Sequence, residues 1–131
     1  MLTAAQIMTS DVVTIAPNAT IQDAIELLVH RRISGLPVVD PTGRLVGIIT
    51  EFALLAMAYN QDVQNDPIEH HMTRDVLTVD ASDAISHVTD VFILHRVRRL
   101  PVVQGGRLVG LLSRHDVLSA LLSEQAPVCT A

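Results

Sequence analysis

Gly43-Arg44-Leu45-Val46-Gly47-Ile48-Ile49-Thr50 returns later in the same chain as Gly106-Arg107-Leu108-Val109-Gly110-Leu111-Leu112-Ser113. Outward from these blocks, Leu36-Pro37-Val38-Val39 returns as Leu100-Pro101-Val102-Val103. Further out, Met8-Thr9-Ser10-Asp11-Val12-Val13-Thr14-Ile15 returns as Met72-Thr73-Arg74-Asp75-Val76-Leu77-Thr78-Val79. The three blocks keep their order and nearly their spacing, the turn Gln104-Gly105-Gly106 being one residue shorter than Asp40-Pro41-Thr42-Gly43. Recurrence of this kind marks an internal duplication. Repeat 1 is assigned to residues 1–60 and repeat 2 to residues 61–131, with the polar stretch 60–67 as connector.

Each repeat reads as β-α-β-β-α. A first strand is expected over residues 12–15, leaving through Pro17-Asn18, which is turn chemistry. Thr20 then caps a helix with apolar positions Ile21, Ala24, Ile25, Leu28 and Val29, and the second copy supplies Ile85, Val88, Val91, Phe92 and His95. Pro37 is expected to open a strand, where a missing donor does least harm. The turns at residues 40–43 and 104–106 then make hairpins, and final helices begin near Thr50 and Ser113. One repeat is too small to cover its own sheet. The expected architecture is therefore α+β, with the repeats packed sheet to sheet about a pseudo-twofold axis and a cleft at each end of their seam.

Composition narrows the function. Hydrophobic residues make up 49% of the 131-residue chain, yet Phe52, Tyr59 and Phe92 are its only aromatics, so the core is aliphatic. Base-stacking surfaces need aromatic platforms, and a formal net charge of −5 repels phosphate-rich polymers, so no nucleic acid partner is expected. All nine positive charges are arginines, whose planar fork suits small anions. Cys129 is the only cysteine and allows no internal disulfide. No basic segment followed by an apolar run stands at the N-terminus, and no apolar run is long enough for a bilayer. A cytoplasmic protein without a membrane partner is expected.

The Met-Thr blocks, the Leu-Pro-Val-Val blocks and Gly110-Leu111-Leu112-Ser113-Arg114-His115-Asp116 together resemble the CBS-domain pair, or Bateman module, over almost the whole chain. The resemblance implies a regulatory module that binds AMP, ADP, ATP, NAD or S-adenosylmethionine between its repeats. It implies that the Ser113 hydroxyl and the Asp116 carboxylate hold phosphate and ribose. It places adenine against Thr14, Ile15, Ala16, Asn18, Gly35, Leu36 and Pro37. Arg114 and the Arg31-Arg32 pair are the candidate phosphate contacts. Repeat 1 departs from the pattern, with Ala53 where the carboxylate belongs. The cleft formed by Thr50, Ala53 and Asp80 is therefore expected to be weak or empty. The family's habits further imply a homodimer built on exposed apolar helix surface, and a regulated partner that is a separate chain. No cofactor is required; the adenine nucleotide is a regulatory ligand.

The residues also admit plainer readings. Ser113-x-x-Asp116 is a helix-capping pattern in its own right. Ser113, His115 and Asp116 do not make a catalytic triad, because positions two apart on a helix do not face each other. His70-His71 lacks the spacing of a metal site and reads as a polar turn, so no metal is expected. The basic run over residues 95–99 reads as solvent-exposed, and Met8, Met57 and Met72 read as core filler. No nucleophile, metal cage or carboxylate pair assembles into an enzyme. The alternative to a sensor is a scaffold of the same fold that binds no nucleotide.

Overall fold

The computed structural model describes the backbone of residues 1–129 and side chains through residue 124, so the Cys129 thiol lies outside the described residues. In chain order the elements are α1 (Ala4–Ile7), α2 (Ile21–Arg31), β1 (Gly35–Val39), β2 (Leu45–Thr50), α3 (Glu51–Met57), β3 (Val79–Asp80), α4 (Ile85–His95), β4 (Arg99–Gln104), β5 (Arg107–Ser113) and α5 (Arg114–Cys129). Short 3-10 turns occupy Gln61–Val63 and Ile68–His70. The chain is thus α+β, with β-α-β-β-α complete in repeat 2.

Repeat 1 keeps only a trace of its first strand, a single parallel bridge between Ile15 and Val38. Proline is the reason. Ile15 donates to the Pro37 carbonyl at 3.1 Å and accepts from Val39 at 3.0 Å, so residues 37 and 39 face the incoming segment. The next donor along that edge would be the amide of residue 37, and proline has none. Pro101 imposes the same limit on β3, which is two residues long and pairs with Val102 and Val103. Proline therefore sits third in β1, which opens at Gly35, and it shortens the neighbouring strand.

The hairpins follow their turn chemistry. Asp40 Oδ1 accepts from the Thr42 amide, the Thr42 hydroxyl and the Arg44 amide, which holds its carboxyl below the usual range; the hydroxyl is the main cause. Gly105 and Gly106, both at positive φ, make the shorter turn. Ile21, Ala24 and Leu28 bury the face of α2, and Ile85, Val88 and Phe92 that of α4. Val29 (68% exposed) and His95 leave the expected stripes, so the buried face is narrower than the periodicity suggested.

Two compact units emerge: Val13–Val76, and Met1–Val12 together with the chain from Leu77 onward. They cut the chain elsewhere than residue 60, because each leading segment packs on the unit formed by the other repeat. In the repeat 2 unit, Ala4 is fully buried, its amide donates to Asp83 at 2.8 Å, and Thr9 exchanges two backbone bonds with Leu111. The Leu2 carbonyl accepts from Ile85 at 3.0 Å, serving a helix whose N-cap, Ala84, has no side chain able to do so. In the repeat 1 unit, Ile68 is fully buried, Thr73 exchanges two bonds with Ile48, and the Asp66 carbonyl accepts from Ile21.

Glycine makes this docking possible. Met8 lies over Gly110 and Met72 over Gly47, and a Cβ at either glycine would run into the thioether. It would also stand 3.0 Å from the Thr9 carbonyl or 2.9 Å from the Thr73 carbonyl, which are backbone and cannot swing aside. Gly110→Ala is expected to cost about 1–3 kcal/mol by overpacking. Gly35→Ala meets nothing closer than 3.9 Å and serves as the control. Thermal unfolding checks this; equal midpoints for the two variants would refute the docking account.

Candidate ligand site

At the end of the second hairpin the chain passes from β5 directly into α5. Ser113 is the last residue of the strand and caps the helix. Its hydroxyl accepts from the Asp116 amide at 3.1 Å, and Asp116 Oδ2 accepts from the Ser113 amide at 2.8 Å. Two orphan donors are thereby satisfied reciprocally, and both side chains are held half-buried at the positive end of the helix. In repeat 1 the same junction keeps half of the device. The Thr50 hydroxyl accepts from the Ala53 amide at 3.2 Å, and alanine returns nothing. The plain capping reading of Ser113-x-x-Asp116 is therefore realised. A carboxylate nonetheless has about four acceptor positions, more than one cap consumes.

Arg114 does not simply extend into water. Its Nε donates to the Val97 carbonyl and its Nη2 to the Arg96 carbonyl, both at 2.9 Å. The side chain ties the start of α5 to the loop after α4, where Arg96 adopts a left-handed conformation at φ 55°. Arg31 and Arg32 are exposed at the end of α2, with Arg32 in the matching left-handed cap at φ 54°. The basic run over residues 95–99 is mostly exposed, and its last member, Arg99, is half-buried and pairs across the ladder with Ser113.

The residues expected to line adenine gather in the other unit, where Ile15 meets the Pro37 carbonyl. Leu36 and Pro37 are fully buried, and Leu36 and Ile15 belong to the apolar core. Thr14, Ala16, Asn18 and Gly35 keep exposed or half-exposed surface. Asp80, at the end of β3, accepts from the Ser82 hydroxyl at 2.6 Å and the Ser82 amide at 2.9 Å. The hydroxyl is the chief reason its carboxyl lies below the ordinary range. His70 closes a 3-10 turn, and His71 Nε2 lies 2.8 Å from Asp66 Oδ2. Among the described residues no three His, Cys, Asp or Glu side chains converge as a metal site.

Sequence reasoning missed two features of this region. The Arg114 tether spans 17 and 18 residues and has no local signature. The pairing of Arg99 with Ser113 was available in principle, since the hairpin register follows from the Gly105-Gly106 turn.

Two like α+β units, each ending its hairpin in a capped helix, define a tandem-repeat module. The CBS-domain family model matches residues 4–59 and 68–123, and the chain belongs to that family. It is 32% identical over 121 residues to the uncharacterized protein MJ1225 of Methanocaldococcus jannaschii, which is 92% of this chain and 43% of that one. It thus spans less than half of that relative, and it covers 24% of the inosine-5'-monophosphate dehydrogenase of the same organism. Among solved structures, CBSX2 of Arabidopsis thaliana in complex with AMP superposes with a TM-score of 0.86 at 30% identity, covering 95% of this chain and 99% of that one. The CBS pair of MJ0100, in complex with 5'-methylthioadenosine and S-adenosyl-L-methionine, superposes at 0.78 with 28% identity, covering 95% and 98%. No helix among the described residues is long and apolar enough to cross a membrane.

The half-cap in repeat 1 gives a direct test of the cap energetics. Ala53→Asp restores the reciprocal box and is expected to raise stability by about 0.5–1 kcal/mol, whereas Asp116→Ala lowers it by a similar amount. Denaturant unfolding reads both; a neutral Asp116→Ala would remove the box as a structural element.

Proposed function

We propose that this chain is a regulatory module that binds an adenosyl ligand at the Ser113–Asp116 cap and reports occupancy to a separate protein in the cytoplasm, catalysing no reaction itself. One observation carries the reading: the hydroxyl and carboxylate pair is complete and held half-buried in repeat 2, where repeat 1 has alanine. A carboxylate accepts from both hydroxyls of a ribose, which alanine cannot do. The AMP, 5'-methylthioadenosine and S-adenosylmethionine carried by CBSX2 and MJ0100 support the ligand class. The assignment of adenine to Thr14, Ile15, Ala16, Asn18, Gly35, Leu36 and Pro37, and of phosphate to Arg114, Arg31 and Arg32, rests on the family resemblance. The junction at Thr50 and Ala53, and the exposed Asp80, take the weaker role or none.

The scaffold reading has an observation of its own, because the reciprocal cap gives Ser113 and Asp116 a structural duty without any ligand. Asp116→Asn separates the two. Its amide oxygen can still accept from the Ser113 amide, but the charge and an acceptor are lost. Calorimetric titration with AMP, ATP, NAD and S-adenosylmethionine is expected to give binding in the parent and about tenfold or greater weakening in Asp116→Asn at unchanged melting temperature. Silence across the panel in the parent protein refutes the sensor and leaves the scaffold.

Self-association belongs to the same proposal. Val29, Phe52, Leu55 and Tyr59 in one unit, and Ile93, Leu94, Leu118 and Leu122 in the other, are 65–95% exposed. Val29 and Ile93, Leu55 and Leu118, and Tyr59 and Leu122 stand at equivalent positions of the two repeats, and apolar surface repeated in this way suits a second copy of the chain. Phe52→Arg and Leu118→Arg are expected to convert a dimer to monomer in sedimentation velocity; a parent that sediments as a monomer contradicts it.

A further inference from the structure

Two methionines stand at equivalent places in the two units and make the same contact in each. Met8 lies over Gly110 and Met72 over Gly47, so closely that a Cβ at Gly47 would stand 2.5 Å from the Met72 sulfur and 2.9 Å from its Cγ. Beside each sulfur the leading segment exchanges two backbone bonds with its hairpin, Thr9 with Leu111 and Thr73 with Ile48, all four at 2.9 Å. Both thioethers also pack against the apolar core of their unit. Neither side chain is sealed, however, since Met8 and Met72 are half-buried rather than buried. Among the described residues, nothing donates to or accepts from the backbone of residues 10–14, so no hydrogen bond there anchors the segment that ends at Thr9.

A thioether fills such a gap as an apolar group, and a single reaction makes it polar. We infer that Met8 and Met72 are paired oxidation sites, and that a sulfoxide at either one releases its leading segment from the hairpin. The oxidant is hydrogen peroxide. A sulfur lone pair attacks one peroxide oxygen, the O–O bond breaks, and the departing hydroxide takes the proton of the transferred oxygen and leaves as water. The product carries an oxygen where the glycine contact leaves no room for one. It also meets no donor to spare, because the amides of Thr9 and Leu111 are given to each other, as are those of Thr73 and Ile48. An acceptor in that position is either buried unpaired, at a cost, or turned out to water. Turning out lifts the sulfur off the glycine, and the segment goes with it. Met1, 93% exposed, undergoes the same reaction with no packing to lose. No ligand takes part, so this switch and the adenosyl reading stand separately.

The experiment treats the full chain with graded hydrogen peroxide and reads sulfoxide at each methionine by peptide mass spectrometry, together with thermal unfolding and amide hydrogen exchange. Met8 and Met72 are expected to oxidise after the exposed Met1. Their sulfoxides are expected to lower the melting temperature by about 5 °C or more and to speed exchange at Thr9 and Leu111 at least about tenfold. Methionine sulfoxide reductases A and B together, one for each epimer, should return both readouts to their starting values. Met8→Leu combined with Met72→Leu nearly keeps side-chain volume and should make the protein indifferent to the same dose. If that double variant is itself unstable, exchange and reversal in the parent chain still decide. Sulfoxide at Met8 and Met72 with melting and exchange unchanged overturns the proposal. So does a double variant that loses as much on oxidation as the parent, which traces the damage to Met57 or Cys129. Resistance of both sulfurs at a dose that fully converts Met1 overturns it as well.

Discussion

A two-stranded hairpin cannot bury its own apolar face, and each unit of this protein is organised around that limit. The hairpins β1–β2 and β4–β5 carry Leu36, Val38 and Ile49, and Leu100, Val102 and Leu112, all essentially without exposure. Two helices cover part of each hairpin, and a leading segment from elsewhere in the chain completes the cover. That segment approaches closely only because Gly47 and Gly110 have no side chain where Met72 and Met8 come down. Proline sets the opposite boundary, since Pro37 and Pro101 offer no amide to the strand beside them. Duplication supplies both units from one solution. Because the leading segments are exchanged between repeats, neither repeat taken alone contains all of its own unit.

Much of this was legible in the chain itself. The recurrence of Leu-Pro-Val-Val and Gly-Arg-Leu-Val-Gly located the hairpins, Thr20 and Thr50 announced their helices, and the turns declared themselves through Asp40 and the Gly105-Gly106 pair. The first strand was over-read, because the effect of Pro37 falls on a neighbour that sequence order alone does not reveal. The exchange of leading segments was invisible for a similar reason: Thr9 and Leu111 are brought together by topology, not by any local pattern.

The candidate site divides in the same way. Ser113 and Asp116 form one capping unit, as their spacing of three required, and Ala53 explains why its counterpart is incomplete. Arg114 was read as a candidate phosphate contact, and two of its donors go to the carbonyls of Val97 and Arg96, far away in sequence. Leu36 and Ile15, expected from the resemblance to border adenine, are buried in the core of one unit. A core position and a ligand-facing position on the same short strand look alike until the register and the covering helices are known.

Function, on this account, comes from breaking the symmetry that built the fold. One cap has both its hydroxyl and its carboxylate; the other lacks the carboxylate. The most direct measurement is amide chemical-shift mapping of the labelled protein during titration with ATP. The account predicts saturable shifts centred on the amides of Ser113 and Asp116, with those of Thr50 and Ala53 scarcely moved. Shifts centred on Thr50 and Ala53 instead, or equal at both junctions, would contradict it.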